Sequence, residues 1–151
     1  MTIAQFVPTG RTTARTAEFA LLGTLLQTRV YSGSDLASLA VNRVGVEVLD
    51  RLSEHGLSAE ELSFIIPRRT LSHRRTNGER LSADESDKAI RLARILAQAE
   101  TVFGSAEKAM TWLRDPKKLF TGKSALAMAN TEHGARLVEE ALVQIDEGYF
   151  A

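Results

Sequence analysis

The chain has 151 residues, a hydrophobic content of 44%, and 19 basic against 19 acidic side chains. This length and composition predict one compact globular domain or two small ones and exclude an intrinsically disordered chain. The absence of cysteine excludes disulfides and thiolate metal sites and makes the cytoplasm the expected location, while the lack of a long apolar run or a signal-like start predicts no membrane association.

The first third of the chain predicts an arm followed by three helices. Residues 1–16, with a proline, a glycine and several threonines, indicate a flexible arm. From residue 17 onward, apolar side chains recur about every four positions, which is typical of a helix. Ser34 is the predicted cap of a short second helix. A third helix carries an apolar stripe and ends at Gly56.

Residues 58–78 predict two short helices joined by a tight corner. Ser58 and Glu61 have the spacing of a capping box. The helix that they open must end before Pro67, because the residue that precedes a proline avoids helical geometry. Proline suits the start of a second helix, which Gly78 ends. This arrangement is typical of a helix-turn-helix.

The remaining segments are also helical, so the predicted fold class is all-α. Ser82 and Glu85 predict a capping box that opens a long helix. Later helices are predicted after Ser105, Ser124 and Thr131. The side chains predicted to face the core in the last helix are Leu137, Ala141, Leu142 and Ile145. We place a domain boundary near Gly104, which gives the ranges 17–103 and 104–151.

Charge is distributed unevenly along the chain. Residues 67–80 hold five arginines against one glutamate, a net charge of +4. Residues 131–151 hold five acidic side chains against one arginine, a net charge of −4. Such asymmetry predicts two different partners for the two regions, with two ordinary solvated faces as the alternative.

The basic helix predicts binding to double-stranded DNA. A helix that enters the major groove needs cations near both of its ends for phosphates and polar side chains for base edges. The residues that we assign to base edges or the groove are Arg68, Arg69, Ser72 and His73, and those assigned mainly to phosphates are Arg74, Arg75 and Arg80. An exposed basic helix without a partner is the alternative.

Signals for catalysis, cofactors or metals are weak. The stretch TGKSA at 121–125 resembles the end of a phosphate-binding loop, but position 117, where that motif needs glycine, is lysine. The three histidines lack the spacing of a zinc site. We therefore expect a binding protein without cofactor or metal, with an enzyme of unrecognised type as an alternative.

Three stretches resemble the Xre/MbcA/ParS antitoxins of type II toxin–antitoxin pairs, in the same order. They are IIPRRTLSHRR, LSADESDKAIRLARILAQAETVFG, and the segment from AEKAMTWLRD to EGYF. The positions that fit the C-terminal module of this family are Trp112, Leu113, Pro116, Leu119, Gly122 and Gly134. Ser124-Ala125 departs from the pattern, because many members place a proline there.

The resemblance implies a Cro-like helix-turn-helix domain followed by a small helical toxin-binding domain. It also implies a toxin partner with the RES fold, related to ADP-ribosyltransferases, which degrades NAD or transfers ADP-ribose from it. The antitoxin would block the NAD cleft of this toxin and repress its own operon. A homo-oligomer within a hetero-oligomeric complex is expected, because one recognition helix reads few base pairs.

The acidic end of the chain offers a physical means of blocking such a cleft. Acidic side chains could pair with cationic groups that hold a pyrophosphate, and aromatic residues could fill an apolar pocket. The residues assigned to toxin binding are Glu139, Glu140, Asp146, Glu147, Tyr149, Phe150 and Ala151. The alternative for the whole chain is a stand-alone transcriptional repressor whose C-terminal domain serves dimerisation.

Overall fold

The computed structural model describes residues 11–148, with side chains from residue 15 onward, and every regular element in this range is a helix. The elements are α1 (Arg11–Leu26), α2 (Gly33–Asn42), α3 (Glu47–Glu54), α4 (Ala59–Leu62), α5 (Arg68–Asn77), α6 (Ala83–Phe103), α7 (Ala106–Arg114), a 3₁₀ turn (Lys118–Phe120), α8 (Ala125–Met128) and α9 (Glu132–Asp146). The predicted all-α class is confirmed.

Helix α6 lies at the centre of the molecule. Helices α1, α2, α7 and α9 all pack against it. Its side chains between residues 89 and 99 are almost all buried, with Leu92, Ile95 and Leu96 at 2% exposure or less. A helix that is buried on every side belongs to the core of its domain. The basic and the acidic regions of the chain therefore share one hydrophobic core.

Most of the helix caps lie where the sequence predicts them. Ser58 with Glu61 and Ser82 with Glu85 both form reciprocal capping boxes. The three later caps, Ser105, Ser124 and Thr131, each accept a hydrogen bond from the first turn of their helix. These predictions succeed because a cap depends on residues only three positions apart.

The predicted cap of α2 was wrong, because Ser32 caps this helix and Ser34 lies inside it. Asp35 determines at which residue this helix begins. Its carboxylate accepts hydrogen bonds from the backbone N–H of Tyr31, at 2.8 Å, and of Ser32. The reciprocal bond to the Ser32 hydroxyl completes a capping box that a helix capped by Ser34 would lack.

The predicted arm at 1–16 also needs correction in part. Residues 11–16 belong to α1, and residues 1–10 lie outside the described range. Short helices in proteins are held mainly by tertiary packing. Leu22 and Leu25, both fully buried, anchor α1 in the core. The packing of these two leucines stabilises the whole of α1, including its threonine-rich first turns, which the sequence alone does not predict to be helical.

Ion pairs join α6 to α9. The Nε of Arg91 lies 3.1 Å from one carboxylate oxygen of Glu132, and Arg94 lies 3.2 Å from the other. Arg94 also pairs with Glu139. Burial works to raise the pKa of Glu132, but the charges and hydrogen bonds of Arg94 and Arg91 outweigh it and hold the pKa below the ordinary 4.5. These pairs fix the register of α9 along α6.

Gly134 sets the corner between α8 and α9. A Cβ at this position would lie 1.8 Å from the carbonyl oxygen of Met128. Only glycine therefore lets the first turn of α9 approach α8 so closely, which accounts for the glycine near the start of the last helix.

The lowered pKa of Glu132 predicts a stability that depends on pH. A carboxylate with a depressed folded-state pKa stabilises the fold above its unfolded value near 4.5, and this contribution is lost as the pH falls through the folded value. Because Glu132 is half exposed, Glu132→Gln should lower the free energy of unfolding at pH 7 by only about 0.5 kcal/mol. The difference should shrink steadily in urea unfolding below pH 4.5.

The matched control is Glu140→Gln, which removes an exposed carboxylate from the same helix. This variant should track the parent at every pH. A difference between Glu132→Gln and the parent that stays constant from pH 7 to strong acid would contradict the assignment of this stability to the ion pairs.

Candidate functional sites

The corner between α4 and α5 displays one face of α5 outward. Ile65 and Ile66 are buried just before Pro67, whose extended backbone turns the chain into α5. Gly78, with a φ of +63°, ends the helix in the left-handed conformation. Leu71 packs against the core. The opposite face of α5 is therefore held in solvent by a firmly packed corner.

The residues assigned to base edges lie on this exposed face. Arg68, Arg69, Ser72 and His73 are all exposed. Within the described range, the guanidinium groups of Arg68 and Arg69 have no carboxylate partner, whereas the ring of His73 lies within hydrogen-bond distance of the Asn77 amide, at 3.0 Å. The structure brings the four residues onto one short helix, and their contacts with DNA stay a prediction.

Two of the arginines assigned to phosphates are paired within the chain. The side chain of Arg74 is only 18% exposed and lies between Glu85, at 3.0 Å, and Glu79. Arg75 donates hydrogen bonds to both carboxylate oxygens of Asp50 on α3, at 2.9 and 3.3 Å. Their charges are offset, and these pairs fix α5 to the start of α6 and to α3.

Arg80 belongs to a different arrangement, which also includes Arg43. The Nη1 of Arg80 donates to the carbonyl oxygen of Arg43 at 3.0 Å. Arg43 in turn donates to the carbonyl oxygens of Arg80, at 3.1 Å, and Leu81, at 2.7 Å. Sequence reasoning missed Arg43, because it lies 37 positions before Arg80 and a single arginine in a loop carries no local signal.

The acidic residues assigned to toxin binding are placed unequally along α9. Glu140 and Asp146 are exposed, whereas Glu139 is half-buried and paired with Arg94. Glu147 is half-buried just after the helix ends. Residues 149–151 lie outside the described range, so the roles assigned to Tyr149, Phe150 and Ala151 stay a prediction.

Leu137 does not face the core as predicted, because 49% of it is exposed. The close approach of Gly134 to α8 sets the rotation of α9, so that Val138 and Leu142 point inward. Val143 is also exposed, at 44%. Apolar and acidic side chains therefore alternate on the outer face of this helix.

A cleft of about 550 Å³ opens between α1, α6 and α9. Its polar lining includes Glu18, Arg94, Glu139 and Asp146. Burial, followed by the charge of Glu139, raises the pKa of Glu18 above its ordinary value, although Arg15 and Arg94 act in the opposite direction. The raised pKa thus reflects first the burial of this carboxyl and then the negative charge of Glu139 and Asp146.

Helix α7 joins the C-terminal segment to the helix-turn-helix. Arg114 donates to both carboxylate oxygens of Glu61, at 2.7 and 3.0 Å, and to the carbonyl oxygen of Gly56. The hydrogen bond from Arg114 is the main reason that the pKa of Glu61 lies below its ordinary value. The Nδ1 of His55, one of the three histidines that lack the spacing of a zinc site, lies 2.7 Å from a carboxylate oxygen of Glu100.

Two further findings concern only the residues that the structure describes. No group of three or more histidine and acidic side chains is arranged to hold a metal ion. No helix in this range has the length and apolarity that crossing a bilayer requires.

Comparison with known protein families supports the division into two functional parts. Residues 35–94 match the model for an antitoxin Xre-like helix-turn-helix domain. Residues 98–148 match the model for the antitoxin Xre/MbcA/ParS C-terminal toxin-binding domain. The first matched range ends and the second begins within α6, so this helix contributes residues to both domains.

Three relatives carry antitoxin names. The chain is 47% identical over 102 residues to antitoxin Xre of Pseudomonas putida, covering 67% of this chain and 64% of that protein. It is 33% identical over 87 residues to antitoxin Xre of Yersinia enterocolitica, covering 57% and 59%. It is 29% identical over 91 residues to the Prs ADP-ribosylating antitoxin of a Sphingobium species, covering 54% and 57%.

The matches to these relatives thus span only about three fifths of their lengths. The order of the two matched domains agrees with the resemblance seen in the sequence. The chain belongs to the Xre/MbcA/ParS family of antitoxins.

Proposed function

We propose that this chain is the antitoxin of a type II toxin–antitoxin pair, which represses its own operon through α5 and neutralises a RES-domain toxin through its acidic C-terminal region. The observation that carries the DNA-binding part is the exposure of Arg68 and Arg69, without carboxylate partners among the described residues, at the start of a helix in the matched helix-turn-helix segment.

The pairing of charges within the chain separates the arginines into two groups. Arg68 and Arg69 can meet DNA without giving up an ion pair. Arg74 and Arg75 would have to share or lose their carboxylates first. We therefore assign base edges to Arg68, Arg69, Ser72 and His73 (the last from the middle of the exposed face), and phosphates to Arg80. Arg74 and Arg75 keep α5 aligned and contribute phosphate contacts secondarily.

The toxin-binding part rests on the outer face of α9 and the residues that follow it. Glu140 and Asp146 offer carboxylates to the cationic groups of an NAD-binding cleft. Leu137 and Val143 add apolar surface beside them. The name of the Sphingobium relative attributes ADP-ribosylation, a reaction that consumes NAD, to that antitoxin itself. NAD chemistry in the toxin partner of this chain is part of our proposal.

The proposed oligomeric assembly follows from the small number of base pairs that one recognition helix contacts. Helix α5 has ten residues, and a single helix of this kind reads only a few base pairs. We propose a dimer or larger assembly on repeated half-sites in the cytoplasm, joined with toxin subunits in a hetero-oligomer.

The DNA-binding function is tested by Arg69→Ala. Loss of one groove contact should weaken binding to the promoter fragment upstream of its own gene by about 1–3 kcal/mol, a factor of roughly 5 to 150. Fluorescence anisotropy with that duplex measures the change. Arg136→Ala is the matched control, since it removes the same charge from the exposed face of α9 and should bind the duplex like the parent.

Neutralisation of the toxin should be unchanged in Arg69→Ala. A variant that binds the promoter duplex as tightly as the parent does would reject Arg69 as a groove contact. Weak binding by Arg136→Ala and Arg69→Ala alike would show that the effect follows net charge rather than the position of the arginine.

The toxin-binding function is tested with the product of the neighbouring gene. The parent chain should co-purify with this protein and suppress its consumption of NAD. Removing residues 149–151, or replacing Glu140 by lysine, should weaken this suppression at least tenfold, because cation pairing or pocket filling is lost. Both variants should still bind the promoter duplex.

Glu54→Lys provides the control for charge reversal, because Glu54 is an exposed carboxylate on α3. It should leave the suppression of NAD consumption intact. If the truncated chain and Glu140→Lys both silence the toxin like the parent, the assignment of the cleft-blocking residues fails. If no neighbouring gene product co-purifies, a stand-alone repressor with a dimerising C-terminal domain is the better account.

A further inference from the structure

We propose that Arg43, which the sequence did not single out, binds the DNA backbone together with Arg80. The two residues form a phosphate-binding corner at the end of α5 opposite to Arg68 and Arg69. This inference rests on the proposed DNA-binding function and extends it to a residue outside α4 and α5.

The corner is held by reciprocal hydrogen bonds. Arg80 donates through Nη1 to the carbonyl oxygen of Arg43, and Arg43 donates through Nε and Nη2 to the carbonyl oxygens of Leu81 and Arg80. The backbone is tied across as well, since the Leu81 N–H donates to the Val44 carbonyl oxygen at 3.0 Å and the Val44 N–H donates to the Ser86 hydroxyl. Both guanidinium groups are therefore positioned in advance.

Each guanidinium keeps donors for a ligand. A guanidinium carries five N–H donors in a planar fork, and the bonds within the corner use fewer than half of them on each residue. Arg43 and Arg80 are both exposed. A fixed fork with unused donors loses little conformational freedom when it binds a phosphate, which favours binding.

The charges of the corner are not offset by carboxylates in the described part of the chain. Carbonyl oxygens accept hydrogen bonds from Arg43 and Arg80 but do not cancel their charge. The acidic side chains nearest in sequence to Arg80 are engaged elsewhere, since Glu79 and Glu85 pair with Arg74, and Asp84 pairs with Lys88. Two cations next to each other therefore face solvent, and a phosphate would supply the missing negative charge.

The backbone of Arg43 indicates that its side chain matters. Its φ is +66°, a conformation that suits glycine and is strained for arginine. The strain is tolerated because hydrogen bonds fix both the side chain and the backbone of Arg43. Its Nε donates to the Leu81 carbonyl oxygen, and its own carbonyl oxygen accepts from Arg80. Glycine would meet the needs of the backbone alone, so the presence of arginine points to a task for the guanidinium.

The placement of the corner fits a duplex. Helix α5 has ten residues, so about 15 Å separate its two ends at 1.5 Å per residue. The major groove is about 12 Å wide between its phosphate walls. Cations at the corner just beyond the end of α5 can thus reach a phosphate of the groove wall while Arg68 and Arg69, at the start of the helix, lie in the groove.

The test is a salt titration of DNA binding by Arg43→Gly, a variant that removes the guanidinium while relieving the backbone strain. Loss of one phosphate contact should reduce the slope of log K against log salt concentration by about 0.9. The loss should be the same on the promoter duplex and on an unrelated duplex of equal length, because phosphates carry no sequence information. Arg29→Gly, which removes an exposed arginine from the loop before α2, should keep the parent slope.

Arg43→Gln is the second variant, because its amide can still donate to a carbonyl oxygen in the corner while the charge is lost. If Arg43→Gly fails to give the parent's helical circular dichroism, Arg43→Gln decides, with the same slope change expected. If a folded Arg43 variant shows the same salt dependence of DNA binding as the parent, the inference is overturned. If Arg69→Ala nevertheless binds the promoter duplex more weakly than the parent, the proposed DNA-binding function survives. Absence of salt-dependent binding by the parent to either duplex rejects both.

Discussion

The burial of α6 is the constraint on which the rest of the structure depends. Because this helix is surrounded by α1, α2, α7 and α9, its two ends and its few polar side chains decide where the functional surfaces lie. Glu85, in its first turn, accepts a hydrogen bond from Arg74 and so positions α5. Arg91 and Arg94, further along, position α9. One rigid element thus orients the basic and the acidic surface together.

The same structure explains how a chain with no net charge can present two surfaces of opposite sign. Ion pairs inside the molecule consume some charges and leave others. On the basic side, Arg74 and Arg75 are paired, whereas Arg43, Arg68, Arg69 and Arg80 have no carboxylate partner in the described range. On the acidic side, Glu139 is paired, whereas Glu140 is exposed. The paired residues hold the elements, and the unpaired ones are available to partners.

Features that depend on neighbours in sequence could be predicted, and features that depend on distant contacts could not. The capping boxes at Ser58 and Ser82 follow from a spacing of three residues. The exposure of Leu137 depends on the rotation of α9 against α8. The partners of Arg75 and Arg43 lie 25 or more residues away in the sequence. The candidate DNA-binding helix was predicted from its local charge, and the toxin partner only from resemblance to a family.

The most direct test of the account is an NMR titration that follows the Nε–Hε signals of the arginines while duplex DNA from the upstream region of the gene is added. The account predicts that the signals of Arg68 and Arg69 shift most, and that those of Arg91 and Arg94 stay in place, because the latter are held in ion pairs with α9. Saturable binding in which Arg68 and Arg69 do not shift would contradict the central claim that unpaired arginines on α5 bind the duplex.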